Sequence, residues 1–353
     1  MNNSYKAAFV MMATLSAPVL ADNNGTSFNH KDWEVVCDNT LTCRAAGYSK
    51  EEEVADGSVG SVLLTRKAGA DTPVTVDVVL AKMDADETVA QPALTLWIDG
   101  KTLGGVEAQD SDTWRLSDAQ ATALINAAKL SGKVEFKGGA QPFILSGDGA
   151  TAVMLKMDDV QGRVGTPGAL IKKGDKPESS VTAPVAAPVI QAVKVSATPE
   201  RTLTEAEVAS LTPKLLATLN NDSGCDRLQT PNEYADEGDS DITLTPLNDT
   251  QVLISTLCWR AAYNEGYGFW VTDSKMQGAP VLITDSASDY SDGMISQGQR
   301  GRGIGDCWSS SEWVWEGKTF VQSSQSTTGM CRAIRAGGTW DLPSLVTQVK
   351  EPK

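Results

Sequence analysis

The sequence predicts a mainly β protein of two β-rich domains joined by a Pro/Ala-rich linker. Three observations carry the prediction. Short stretches of apolar–polar alternation recur along the chain, a break in composition interrupts them near its middle, and the six cysteines fall into an N-terminal pair and a C-terminal group. Alternation with a period of two marks a half-buried strand, because successive side chains of a strand point to opposite faces.

In chain order the first element is a leader. Lys6 precedes an apolar run, Ala7 to Leu20, broken by Thr14, Ser16 and Pro18, and Val19-Leu20-Ala21 offers residues of the size a signal peptidase reads. Residues 1–21 therefore read as a secretory signal cleaved after Ala21, too short and too interrupted to span a bilayer. Residues 22–173 form the first domain. Trp33 to Cys37, Ser61 to Arg66, Val74 to Leu80, Leu94 to Ile98, Val134 to Phe136 and Val153 to Met157 each fit a strand. One helix interrupts them, capped by Ser117 with Gln120 and lined by Leu124, Ile125 and Ala128. An antiparallel sandwich carrying one helix is the expected architecture.

Residues 174–200 are rich in Pro, Ala, Ser and Val without helical period, the composition of a flexible, extended tether. Residues 201–348 form the second domain, a disulfide-stapled β-hairpin domain preceded by short helices. Thr204 and Glu207 make a capping box with Leu203 and Val208 as its staple, and Pro213 begins a second helix through Leu215, Leu216 and Leu219. Strands follow at Ile242 to Thr245, Val252 to Cys258, Phe269 to Thr272, Val281 to Thr284 and around Trp313, and six of the nine tryptophans lie here, so an aromatic core is expected. A faint echo, Cys258-Trp259 with Glu265-Gly266-x-x-Phe269 and Cys307-Trp308 with Glu316-Gly317-x-x-Phe320, points to two similarly built hairpins.

An even cysteine count in an exported chain reads as disulfides, although six cysteines allow about 15 pairings. Position favours Cys37 with Cys43, and Cys225–Cys258 with Cys307–Cys331 is the first assignment for the rest. A zinc site is disfavoured because the chain has no CxxC and one His.

"RGRGIGDCWSSSEWVWEGKTF", residues 300–320, begins like a phosphate-binding loop with Gly301, Gly303 and Gly305. A dinucleotide site needs a buried strand before the glycines and a helix after them; "YSDGMISQGQR" does not read as a buried strand, and alternating Trp313 and Trp315 announce a hairpin. The glycines are read as a tight turn carrying Cys307 into its bridge, with Arg300 and Arg302 available to a carboxylate or phosphate.

Catalytic machinery is thin. His30 is the one histidine, and no nucleophile elbow, metalloprotease helix or Walker lysine is present. Paired carboxylates are the class that composition permits, at Glu265 among Tyr263, Tyr267 and Trp270, or at Glu312 and Glu316 beside Trp313. The acidic runs Asp236 to Asp241 and Asp285 to Gly293 lack the spacing of an EF-hand and read as solvated turns. Losing Lys6 with the leader takes the net charge from −15 to −16, which argues against nucleic acid and anionic membranes as partners.

"WEVVCDNTLTCRAAGY", "GDCWSSSEWVWEGKTF" and "GMCRAIRAGGTWDLP" together resemble an uncharacterised exported family, the domain of unknown function 1176. The N-terminal block is more loosely similar to invasion-associated locus B type domains, which share a tryptophan before a paired-Cys opening and a late capped helix. The resemblance implies an envelope location and a β-rich two-domain build, and no reaction.

The expectation is thus a periplasmic or secreted, non-enzymatic protein that binds a protein or small ligand in the envelope, with no cofactor, metal, nucleic acid or stable membrane insertion. Its candidate contact residues are Tyr263, Glu265, Tyr267, Trp270, Arg300, Arg302, Trp313 and Trp315. The rival readings are a carboxylate-based glycan hydrolase and an acidic inhibitor that sequesters a basic enzyme such as lysozyme.

Overall fold

The computed structural model describes residues 25–51, 59–83, 91–109, 112–220, 224–230 and 241–352. The leader expected over residues 1–21 and most of the acidic run from Asp236 lie outside them. Among the described residues strand is the dominant regular structure, in antiparallel sheets with one short parallel pair, and no helix is long and apolar enough to cross a membrane.

The first sheet is laid down nearly in chain order. Thr26–His30, Trp33–Cys37, Cys43–Tyr48, Gly60–Arg66 and Val74–Leu80 pair as successive neighbours, with Trp114–Arg115 and Glu107–Ala108 at the edge. Cys37 lies opposite Cys43 in the register, so their disulfide closes that hairpin. The doublets Val35-Val36, Leu63-Leu64 and Val78-Val79 give the sheet two apolar faces. On the inner face Trp33, Val62, Leu64, Val76 and Val78 join one core with residues of the helices Asp118–Lys129 and Ala150–Val160 and of a four-stranded sheet. On the outer face Val36, Ala46, Leu63 and Val79 are covered by Met330, Ile334, Trp340 and Leu342 from the far end of the chain.

The capping box at Ser117 and Gln120 is formed. Residues 153–157, expected as a strand, lie instead inside Ala150–Val160, which adds a second helix to this block. Ala150, Val153, Met154 and Met157 recur at helical spacing and are all buried. A five-residue apolar run is too short a window for periodicity to separate a strand from a buried helix.

In the C-terminal half Thr204 and Glu207 cap Glu205–Leu216, a single helix that contains Pro213 where two helices were expected. A proline in a helix interior costs about 3 kcal/mol through its missing N–H and its clash with the preceding turn. Here it falls in the last turn, and Leu211 and Leu215 on either side bury against Trp270 and the Cys225–Cys258 disulfide, which holds the turn in place. Two five-stranded sheets share a second core. Arg201–Thr202, Thr243–Pro246, Gln251–Arg260, Glu265–Asp273 and Val281–Ala287 form one, and Asp289–Ser291, Met294–Arg300, Trp308–Trp315, Phe320–Thr327 and Leu342–Val346 form the other. Leu253, Phe269 and Val271 of the first meet Ile295, Trp315 and Phe320 of the second.

Both echoed motifs fall on hairpins of different construction. Glu265-Gly266 opens a strand, whereas Glu316-Gly317 lies in the turn itself. Residues 174–200 are hydrogen-bonded to both halves: the Gly69 N–H donates to the Thr182 carbonyl, and the Val193 N–H donates to that of Trp315. Val189–Gln191 also pairs in parallel with Gln348–Lys350.

Candidate functional site

The strand Gln251–Arg260 reverses at residues 261–264, and beside that turn Met294–Arg300 runs into the glycine loop before Trp308–Trp315. The segment before the glycines is thus a strand with an exposed pattern, and the segment after them is its hairpin partner, so the loop leads into a strand and not into the helix a dinucleotide site needs. A Cβ on Gly301 would lie 2.6 Å from Cys307 Sγ, and Gly305 has φ +70°, so the Cys307–Cys331 disulfide and the turn both depend on glycine.

Asn264 locks the two loops into one tip: its Nδ2 donates to the Arg300 carbonyl and its Oδ1 accepts from the Arg300 N–H, both at 2.9 Å. Gln299 Nε2 adds bonds to the carbonyls of Glu265 (2.9 Å) and Ser286 (3.1 Å). Tyr263, 45% exposed, lies beside Gly303, and the neighbouring Ile304 is 58% exposed. The Arg300 guanidinium sits 5.0 Å from the ring centroid of Trp308, whose indole N–H donates to the Gly305 carbonyl. Arg260 pairs with Glu265 at 3.1 Å. Arg302 forks onto the buried Asp306 at 2.7 and 2.5 Å, and Asp306 also accepts from the Ala333 N–H. Burial alone would raise the Asp306 pKa; the bonds from Arg302 and Ala333 more than offset it and hold the carboxyl below its usual range.

Of the residues singled out from sequence, Tyr263, Glu265 and Arg300 are therefore brought together, with Arg302 tied to the loop behind them. Trp270 faces the opposite side of its sheet, where it is fully buried and donates to Thr218 Oγ1 at 2.8 Å. Trp315 is buried against Phe320, and Tyr267 and Trp313 are half-buried against the same core. Asn264, Ile304 and Trp308 complete the tip and were not among the candidates; the Cys-Trp echo drew attention to Trp308 without placing it.

A second cluster lies where the C-terminal segment crosses the first sheet. Glu34 Oε1 accepts from the Tyr48 hydroxyl at 2.6 Å and from the Met330 N–H at 2.8 Å. Arg332 donates to Asp32 at 2.9 Å, and Asp32 also accepts from Ser146 Oγ at 2.6 Å. A Cβ on Gly329, which has φ +89°, would lie 2.3 Å from the Tyr48 hydroxyl oxygen. Burial raises the Glu34 pKa, against the opposing bonds from Tyr48 and Met330 and the charge of Arg332.

A family model described as "Protein of unknown function (DUF1176)" matches residues 27–347. The chain belongs to this family. The Escherichia coli K12 protein YpfG, itself uncharacterised, is 27% identical over 320 residues, which cover 82% of this chain and 84% of that protein. No solved structure matches. Both the tip and the junction lie within the DUF1176 span.

In this DUF1176 protein the candidate carboxylates sit on two different hairpins. Glu265 is engaged by Arg260, and Glu312 accepts from Ser324 Oγ at 3.1 Å. Glu316 lies in the turn that ends the strand Trp308–Trp315, four residues after Glu312. His30 ends an exposed strand. Of the second acidic run, Asp285 accepts from the Gly224 N–H, and Asp289 and Asp292 are exposed. Among the described residues the cluster within metal-binding reach is Asp306 with Cys307 and Cys331, and both of its sulfurs are consumed by their disulfide.

Proposed function

We propose that this DUF1176 protein is an exported, non-catalytic binding protein of the cell envelope, and that the tip is its contact surface for an anionic group on a protein or small ligand. The observation that carries the reading is Arg300. It is stacked on Trp308 and, among the described residues, has no carboxylate partner, although the chain carries a net charge of −15. Tyr, Trp and Arg are the residues in which binding energy concentrates at interfaces. Here Tyr263 and Ile304 supply apolar surface beside the guanidinium. The disulfide and the Asn264 latch hold the loops in one shape, which lowers the ordering cost of binding. Three disulfides fit an oxidising compartment. An acidic inhibitor of a basic enzyme would present carboxylates at its contact surface, which the tip's uncommitted arginine does not favour.

Tagged mature protein should be cross-linked in its native envelope and its partners identified by mass spectrometry at low and high salt. The expected result is one stoichiometric partner, weakened by salt and lost from Arg300→Glu and Tyr263→Ala. Equal capture by those variants would remove the tip as the contact surface, and no partner above background would end the reading.

A further inference from the structure

We propose a second binding site, separate from the tip: a cleft between the last sheet and the first that takes a neutral, polyhydroxylated ligand, a short segment of oligosaccharide. The cleft has a volume of about 440 Å³, within the roughly 300–1,000 Å³ of small-molecule sites. Arg44 contributes from the strand Cys43–Tyr48, Glu312, Ser324, Gln325 and Ser326 from the last hairpin, and Thr347 from beyond the edge strand.

The chemistry of these walls is that of single, mixed donors and acceptors. Ser324 Oγ donates to one oxygen of Glu312 at 3.1 Å, and the other oxygen has no hydrogen bond among the described residues. Ser310 and Ser326 share a hydroxyl–hydroxyl bond of 3.1 Å on the same hairpin. Arg44 is held by Asp38 at 2.9 Å and remains partly exposed. Arg44 stands against Glu312 and Asp341 in the lining, so the cleft offers no excess positive charge to a phosphate. Exposed Val349 and half-buried Val346 add apolar surface against which the C–H face of a sugar ring can rest.

A second and independent observation comes from Ser323. Glu312 pairs with Ser324 and Trp313 with Gln322, which leaves Ser323 as the extra residue of a β-bulge. Bulges re-aim side chains and occur preferentially beside functional sites. Ser323 is 4% exposed, its hydroxyl has no hydrogen-bond partner among the described residues, and the residue lines the cleft. Buried hydroxyls left without a partner are few in folded proteins, and a ligand hydroxyl or the water it orders would satisfy this one.

Amide chemical-shift titration of the full, isotope-labelled mature protein tests the site, with maltohexaose, cellohexaose and chitohexaose at millimolar concentration and inorganic phosphate as the anionic probe. At least one saccharide should bind saturably, and Ser326→Tyr, which fills the cleft, and Glu312→Ala should each weaken it about tenfold or more with the melting temperature unchanged. Ser323→Ala should weaken binding while raising the melting temperature of the free protein, a combination that a merely structural serine would not give. No saturable binding by any saccharide, binding indifferent to all three substitutions, or binding of phosphate alone would each overturn the proposal.

Discussion

Arg300 and Arg332 stand near the two ends of one disulfide, Cys307–Cys331, and differ in almost everything else. Arg332 is buried, bonded to Asp32 and tied through Met330 and Glu34 into the first sheet. Arg300 lies on an indole ring at an exposed tip, with no carboxylate among the described residues. A guanidinium withdrawn from water must be paired, and removing it strands the partner carboxylate, so Arg332 belongs to stability. An exposed guanidinium that rests on an aromatic face adds little to stability and keeps its donors free for a ligand. Local environment, and not residue type, separates the two roles.

The largest effect should come from Arg332→Ala, which leaves Asp32 half of a broken buried pair. A loss of about 3–5 kcal/mol is expected, read by chemical denaturation. A loss below about 1 kcal/mol would mean that Asp32 is adequately solvated without its partner. Next is the joint replacement Cys307→Ser with Cys331→Ser, which opens a bridge of sequence separation 24. It should cost about 3 kcal/mol by the loop-closure argument and release both the tip and the C-terminal segment, visible as faster amide exchange in each.

Smaller effects separate two carboxyls near that bridge by the sign of their pH dependence. Burial raises Glu34, so its contribution is fully present below the unfolded pKa and is lost as pH rises through the raised folded value. Glu34→Gln should therefore flatten the fall in melting temperature as pH rises above the ordinary glutamate range of about 4. Asp306 is depressed on balance, so its contribution is present above the unfolded pKa and is lost as pH falls through the folded one. Asp306→Asn should lower stability most at neutral pH, and a melting curve shifted equally at all pH values would contradict that sign. Smallest of all, Arg300→Ala should change stability by less than about 1 kcal/mol while abolishing capture of a tip-bound partner.

Much of the β framework was legible because it is local. The alternation around Val76 and Val78, the capping boxes at Ser117 and Thr204, and the hairpin after the glycines each announce themselves within a few residues. Parity within a strand also carried more than was taken from it. Glu265 and Tyr267 share odd positions and Trp270 an even one, so these three side chains cannot line one face of a regular strand. The doublets of the first sheet likewise announce two buried faces, but not what covers the second. Arg332 and Asp32 are 300 residues apart, and no periodicity or spacing encodes a contact of that range. Pro213 shows tertiary packing overriding a local signal in the same way, whereas the helical spacing around residues 153–157 emerges only in a window wider than that run.

The cover on the outer face of the first sheet also sets an order of assembly. Val36, Ala46, Leu63 and Val79 are among the first residues of the described chain to leave a ribosome or translocon, and Ile334, Trp340 and Leu342 are among the last. Until those late residues arrive, an apolar sheet surface stands open to water and to any neighbouring chain, the situation in which nascent β proteins aggregate. Export in an unfolded state followed by folding after release would keep that interval short. A fragment ending in the Pro/Ala-rich segment should consequently accumulate in inclusion bodies even though its inner core is complete.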